Sequence, residues 1–177
     1  MRIISGKFKS KRIIAPKTLP VRPTTDMAKE ALFNILNFQI DFNEIQLLDL
    51  FAGTGNISYE FISRGTTQVT AVDQNFGCVK FINKTAQELD IQINTVKSDV
   101  FKYLEKVKTK NDIIFADPPY DFSLEDFQKI PNLIFDNNLL NQDGLVIVEH
   151  SKYTDLASTP HFLESRKYGS SVFSFFQ

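Results

Sequence analysis

Apolar positions along the chain fall into short continuous runs separated by helical patterns. The runs are 47–51 (LLDLF), 69–73 (VTAVD), 93–96 (INTV), 112–116 (DIIFA) and 145–149 (LVIVE). They are short for helices and lack the strict alternation of a strand with one wet face. Between them, Val79, Ile82, Ala86 and Leu89 recur at helical spacing, as do Val100, Tyr103, Leu104 and Val107. Strand–helix alternation with continuous apolar strands predicts an α/β fold whose parallel sheet is covered on both faces. Ahead of the first run, Ala28, Ala31, Leu32, Ile35 and Leu36 mark one helix face, with Thr25 or Asp26 as its cap. The tail differs. Residues 161–168 and 171–176 are strand-like runs parted by Gly169-Ser170, which predicts an antiparallel hairpin at a sheet edge.

The start of the chain carries β-branched pairs on either side of Ser5-Gly6, in Arg2-Ile-Ile-Ser-Gly-Lys-Phe-Lys-Ser-Lys-Arg-Ile-Ile14. That reads as a small β-hairpin, with a disordered arm or an organelle transit peptide as alternatives. A secretory signal is not expected, because the stretch has no apolar h-region. Pro16, Pro20 and Pro23 punctuate an extended link. The expected division is a basic hairpin and linker over 1–23 and one larger domain over 24–177.

Composition narrows the class. With 177 residues, 42% hydrophobic and 23% charged, the chain can bury a real core. No apolar run approaches the ~18–20 residues of a membrane span. One cysteine, Cys78, excludes an internal disulfide and a multi-cysteine metal site, and fits a reducing, cytoplasmic setting. His150 and His161 have no evident catalytic partner and read as structural; no metal site is expected. The net charge is −1, but its distribution is uneven. Seven basic side chains and no acid lie in residues 1–25, among them Arg2, Lys7, Lys9, Lys11, Arg12 and Arg22; the remainder carries 13 basic and 21 acidic residues. A basic front on an acidic body points to a polyanion contact at the front. Phe8, between Lys7 and Lys9, either stacks on a base or packs inward. The lysines from Lys102 to Lys110 read as a solvated face. The phenylalanines are core, with Phe51 and Phe122 set apart as near a pocket.

Candidate chemistry begins at Asp49-Leu-Phe-Ala-Gly53-Thr-Gly55, between a strand and a helix. Glycines there let backbone amides approach a ligand at a helix N-terminus. A dinucleotide site needs a third glycine at position 58, where Ser58 stands instead. Asp49 at the strand end repels a pyrophosphate and favours a ligand bearing an ammonium or sulfonium group. The alternative is a tight turn whose glycines only relieve crowding. Asp73 closes the second run, where a carboxylate suits ribose hydroxyls. Asp99 follows the third, either to accept from an adenine amino group or to cap the next helix.

Asp117-Pro118-Pro119-Tyr120, after the fourth run, is the most specific feature. Two prolines remove two backbone donors and fix φ twice. The Asp117 carboxylate and the Pro118 carbonyl are then acceptors beside an aromatic ring, which fits a nucleobase with an exocyclic amine stacked on Tyr120. The alternative is a rigid turn.

Together these motifs resemble class I S-adenosylmethionine-dependent methyltransferases, and more closely the RsmD family of 16S ribosomal RNA guanine-N2 methyltransferases. The similarity runs through Arg2-Ile-Ile-Ser-Gly-Lys7, Arg22-Pro-Thr-Thr-Asp26, the Asp49–Gly55 loop, Ser63-Arg64-Gly65, Asp117–Tyr120, Val148-Glu-His-Ser151 and Lys167-Tyr-Gly169. It implies a Rossmann-like, seven-stranded, mostly parallel sheet with an antiparallel last strand. It implies S-adenosylmethionine contacts at Thr24, Thr25, Asp49, Phe51, Gly53, Gly55, Asp73, Gln74, Asp99 and Val100, and catalysis at Asp117, Pro118, Pro119 and Tyr120. The substrate it implies is small-subunit rRNA, presented in an assembling particle to a monomeric enzyme. The polar stretch after Gly55 and the acidic body depart from the family pattern. Competing readings are a DNA or RNA adenine-N6 methyltransferase, a non-catalytic RNA-binding assembly factor on the same scaffold, and a nucleotide-binding dehydrogenase. The first lacks room for a DNA target-recognition region, the intact Asp-Pro-Pro-Tyr loop disfavours the second, and the missing third glycine disfavours the third.

Overall fold

A computed structural model of the chain describes residues 1–19 and 25–177. Twelve elements follow in order: α1 (Asp26–Leu36), β1 (Gln46–Leu50), α2 (Asn56–Arg64), β2 (Gln68–Asp73), α3 (Phe76–Leu89), β3 (Asn94–Lys97), α4 (Val100–Lys106), β4 (Asn111–Ala116), α5 (Leu124–Asp136), β5 (Leu140–Ser151), β6 (Phe162–Tyr168) and β7 (Ser171–Phe176). The strands form one sheet in the order β3-β2-β1-β4-β5-β7-β6. The first five are parallel, and β7 runs antiparallel between β5 and β6. The predicted tail hairpin is therefore β6–β7. It supplies the sheet edge through β6 and sets the apolar β7 inside.

Alternation along the strands explains both layers. Leu48, Leu50, Ile114, Ala116, Val146 and Val148 face a core closed by Val100 and Leu104 of α4 and by Phe127, Ile130 and Ile134 of α5. Leu47, Ile113, Phe115 and Ile147 face the opposite core, closed by Leu32, Phe33 and Leu36 of α1 and by Ile57 and Phe61 of α2. The cap expected at Thr25 forms, its Oγ1 accepting from the Ala28 amide; Asn75 Oδ1 caps α3 in the same way, accepting from Gly77 and Cys78. Helix α5 buries Phe127, Ile130 and Ile134 at helical spacing, contains Pro131 and starts at a Ser123–Asp126 capping box. The lysines of the Lys102–Lys110 run are exposed, as expected of a solvated face.

The N-terminal hairpin is small. One antiparallel bridge joins Arg2 and Arg12, supported by Ile3 N–H to Lys11 O and Ile13 N–H to Met1 O. It does not lengthen, because four of its amides, at Ile4, Ser5, Lys7 and Phe8, are spent on α2. The amides of Ile4 and Ser5 donate to the Glu60 carboxylate at 2.8 and 3.0 Å. Lys7 N–H donates to Ser63 O, and Phe8 N–H to Ser63 Oγ. Gly6, at φ +80°, lies so close to α2 that a Cβ there would sit 1.7 Å from the Ser63 carbonyl oxygen. Ile3 and Ile13 bury against Tyr59 and Leu89, and Phe8 packs against this cluster.

Beneath the arm lies a buried ion pair. Lys29 and Glu60 side chains are fully buried, 3.4 Å apart. Lys29 Nζ also donates to Arg2 O and Asn56 Oδ1, while Glu60 also accepts from Arg64. Burial lowers the Lys29 pKa and Glu60 opposes that shift. Removing one member of such a pair strands the other charge. Glu60→Ala is expected to lower unfolding free energy by about 3–5 kcal/mol, read from urea denaturation followed by circular dichroism. A loss within experimental error would show that the network does not hold the arm.

Candidate active site

In an open α/β sheet, ligands bind beyond the strand carboxyl ends where strand order reverses. Here that point lies between β1 and β4, which pair in parallel with Leu50 opposite Ala116. The chain leaves β1 into the glycine loop and leaves β4 into Asp117-Pro-Pro-Tyr120. The two motifs are distant in sequence yet neighbours in space, and the Asp117 amide donates to Leu50 O. Both loops line one cavity of about 710 Å³. Its wall includes Thr25, Asp49, Phe51, Gly53, Asp73, Gln74, Asp99, Val100, Asp117, Pro118, Pro119 and Tyr120. Among the described residues assigned to cofactor or catalysis from the sequence, Gly55 alone is not on that wall. Thr24 and Arg22 lie outside the described residues.

Gly55 shapes the wall from behind. It caps α2 at φ +80°, and a Cβ there would meet the Tyr59 ring at 2.9 Å. Phe51 turns the chain out of β1 at φ +57°, a conformation uncommon for a side-chain-bearing residue. Its ring packs edge-on against Phe122 and Phe101, with centroids 5.7 and 6.5 Å away. Phe51 and Phe122 both reach the cavity, as expected.

The acids divide their work. Asp49 is 1% exposed, and its Oδ2 accepts from Ser58 N–H at 3.2 Å and from Ser58 Oγ–H at 2.5 Å. The serine that stands in place of a third glycine thus holds this carboxylate. Burial nevertheless pushes the Asp49 pKa up to about 7, Ser58 opposing and the Asp73 charge adding to the rise. Asp73 braces the loop, its two oxygens accepting from Gly53 N–H at 2.8 Å and Asn75 N–H at 2.7 Å. Asp99 caps α4 by accepting from Lys102 N–H at 3.0 Å, and it also lines the cavity, so both roles suggested for it are compatible with its position. At the far side, the Tyr120 hydroxyl donates to Glu149 Oε1 at 3.3 Å and lies 3.4 Å from Ser171 Oγ. Burial pushes the Tyr120 phenol up to about 12.

Glu149 lies in the Val148–Ser151 stretch of the resemblance but has no site role in the sequence reading. It is 1% exposed and lines the cavity at the end of β5. Strand parity could have found it, since Glu149 lies two residues after Ile147, on that residue's face. The same parity puts Asp73 of β2, Asp49 of β1 and Asp117, one residue past β4, on one side of four adjacent strands. Among the described residues, no group of three or more His, Cys, Asp or Glu is arranged to hold a metal ion. A row of carboxylates around a partly aromatic cleft suits an organic cation with hydroxyl and amino donors.

The remaining candidates fall outside the cavity or have other partners. His150 is buried with Nε2 2.7 Å from Ser174 Oγ, and His161 stacks on Phe135 at 3.9 Å. Cys78 is buried and touches the cavity wall. Arg2 pairs with Asp26 at 3.3 Å, and Lys7 lies over the Phe8 ring. Lys7, Lys9, Lys11 and Arg12 are exposed.

Comparison with known proteins fits this geometry. The family described as Conserved hypothetical protein 95 matches residues 1–177, so the chain belongs to it; it is the RsmD family. Ribosomal RNA small subunit methyltransferase D of Escherichia coli strain K12 is 30% identical over 90% of this chain and 79% of its own. The protein of the same name from Buchnera aphidicola (subsp. Baizongia pistaciae) is 30% identical over 90% and 81%. Among solved structures, Escherichia coli yhhF superposes with a TM-score of 0.87 at 26% identity, covering 100% of this chain and 97% of its own.

The Asp49 shift has a measurable consequence. The unfolded chain releases this proton near pH 4, and the folded chain only near 7. Its contribution to stability is full below about pH 4 and is lost as pH rises to about 7, at roughly 1.4 kcal/mol per pH unit. The ligand-free Asp49→Asn variant should lack that decline, of order 4 kcal/mol, in denaturation measured between about pH 4 and 8. An unchanged pH profile would refute the shift.

Proposed function

We propose that the protein is an S-adenosylmethionine-dependent methyltransferase acting on the exocyclic N2 amine of a guanine in small-subunit ribosomal RNA. The observation that carries this is the common cavity of the Gly53–Gly55 turn and the Asp117-Pro-Pro-Tyr120 loop. The names of the RsmD-family relatives support the RNA substrate. The target base is taken to be presented in an assembling small-subunit particle to a monomeric, cytoplasmic enzyme.

The cavity fits the cofactor by volume, about 710 Å³ against the several hundred typical of ligand pockets, and by its row of acids. Asp73 would accept from ribose hydroxyls with the lone pairs its loop amides leave, and Asp99 from the adenine amine. Gln74 and Val100 would border the adenosine, and Thr25 and Asp49 the amino-acid end. When bound, S-adenosylmethionine supplies an electrophilic methyl group on a sulfonium.

The chain's own residues position the acceptor. A guanine amine is a poor nucleophile, because its lone pair is delocalised into the ring. Asp117 and the Pro118 carbonyl accept its two hydrogens and draw the nitrogen out of conjugation. Tyr120 provides the face on which the ring lies. As positive charge grows on the nitrogen, the Asp117 carboxylate stabilises it. Alignment supplies the remaining acceleration. No general base is required, since the methylated ammonium is strongly acidic and gives its proton to water.

Radiolabelled methyl transfer to free small-subunit rRNA, to subunits lacking the modification and to duplex DNA tests the reading; label in DNA alone would refute it. Asp117→Ala is expected to bind cofactor normally and to lose methyl transfer by about 100- to 1,000-fold. Normal turnover would overturn the mechanism. The exposed Lys9, Lys11 and Arg12 are assigned with Arg2, Lys7 and Arg22 to RNA phosphates. Replacing Lys9, Lys11 and Arg12 by alanine should flatten the salt dependence of RNA binding by about 0.7–0.9 log units for each phosphate left unneutralised; an unchanged slope would acquit the arm.

A further inference from the structure

We infer that Glu149 is the residue that selects guanine over adenine, by accepting the N1–H of the target base while Asp117 holds its N2 amine. The inference rests on the methyl-transfer reading above and deepens it.

Three observations carry it. Ala116 of β4 pairs with Val148 of β5, so Asp117 and Glu149 are the next residues along two neighbouring parallel strands. Such strands lie about 4.8 Å apart. Both residues line the cavity. Finally, the Tyr120 hydroxyl donates to Glu149 Oε1 at 3.3 Å, tying this carboxylate to the ring on which the base lies.

The chemistry of the base edges decides what two adjacent acceptors can hold. Guanine presents N1–H and N2–H₂ on neighbouring atoms, a run of donors that two carboxylates match. Adenine presents its N6 amine beside N1, which is a bare acceptor. Set in the same place, adenine would bring that lone pair against the Glu149 carboxylate. Asp117 alone does not distinguish the two bases, since each offers it an exocyclic amine. The discrimination therefore lies with Glu149, which is 1% exposed and so shielded from the water that would weaken it.

The test uses the full-length protein and small-subunit RNA bearing guanine, 2-aminopurine or adenine at the methylated position, mapped first with unmodified RNA. 2-Aminopurine keeps the N2 amine but has an acceptor at N1. The wild type should methylate guanine with a kcat/KM about 10- to 100-fold above 2-aminopurine. Glu149→Gln can donate to that N1. At saturating cofactor it should bring the ratio to within about threefold. The absence of O6 from 2-aminopurine affects both proteins alike and cancels in the comparison. A ratio equal in wild type and variant overturns the inference. If the variant does not fold, equal wild-type rates on guanine and 2-aminopurine still overturn the inference. Transfer to Asp117-dependent sites with no base preference refutes the role of Glu149 and leaves the methyltransferase reading standing. Transfer to no guanine at all refutes that reading and this inference together.

Discussion

The parallel pairing of β1 with β4 is the constraint on which the site depends. Leu50 and Ala116 are opposite one another, so whatever follows each strand emerges at the same edge of the sheet. One exit is the glycine turn and the other the double-proline turn. Each motif alone is an ordinary βα connection. Side by side at the reversal of strand order they enclose one cavity, with β5 and β2 adding Glu149 and Asp73 at the flanks.

Electrostatics follows from that placement. Four carboxylates lie on one face of four neighbouring strands, and burial, with a smaller contribution from the Asp73 charge, holds the proton of Asp49 to about pH 7. A row of acids on this face favours a positively charged ligand over an anion. Asp73 and Asp99 also cap or brace local backbone. A carboxylate has several lone pairs, and structural and ligand roles are not exclusive.

The basic arm is joined to the same region through the interior. Lys29 bridges the arm backbone, Glu60 of α2 and Asn56 at the cavity wall. A buried cation of this kind costs desolvation, which its partners offset only if all are present. The arm therefore rests on α2 in one register, fixed by Gly6 against Ser63, and its lysines are held outward as a group.

Periodicity and turn chemistry in the sequence determined the element types, the parallel sheet, the tail hairpin and the two turns that meet at the cavity, because those depend on local spacing and on residues such as Gly55, Pro118 and Pro119 with few conformational options. Residue type also marked Asp49, Asp73 and Asp117 as unusual at the ends of apolar runs. Other features were settled only by the tertiary structure. The insertion of β7 between β5 and β6, the Lys29–Glu60 pair, Ser58 as the partner of Asp49, and Glu149 beside Asp117 all depend on how the folded chain brings its parts together. Local propensity carries no information about such partners. They are chosen by strand order and by the need of each buried charge to find its counterpart across the fold.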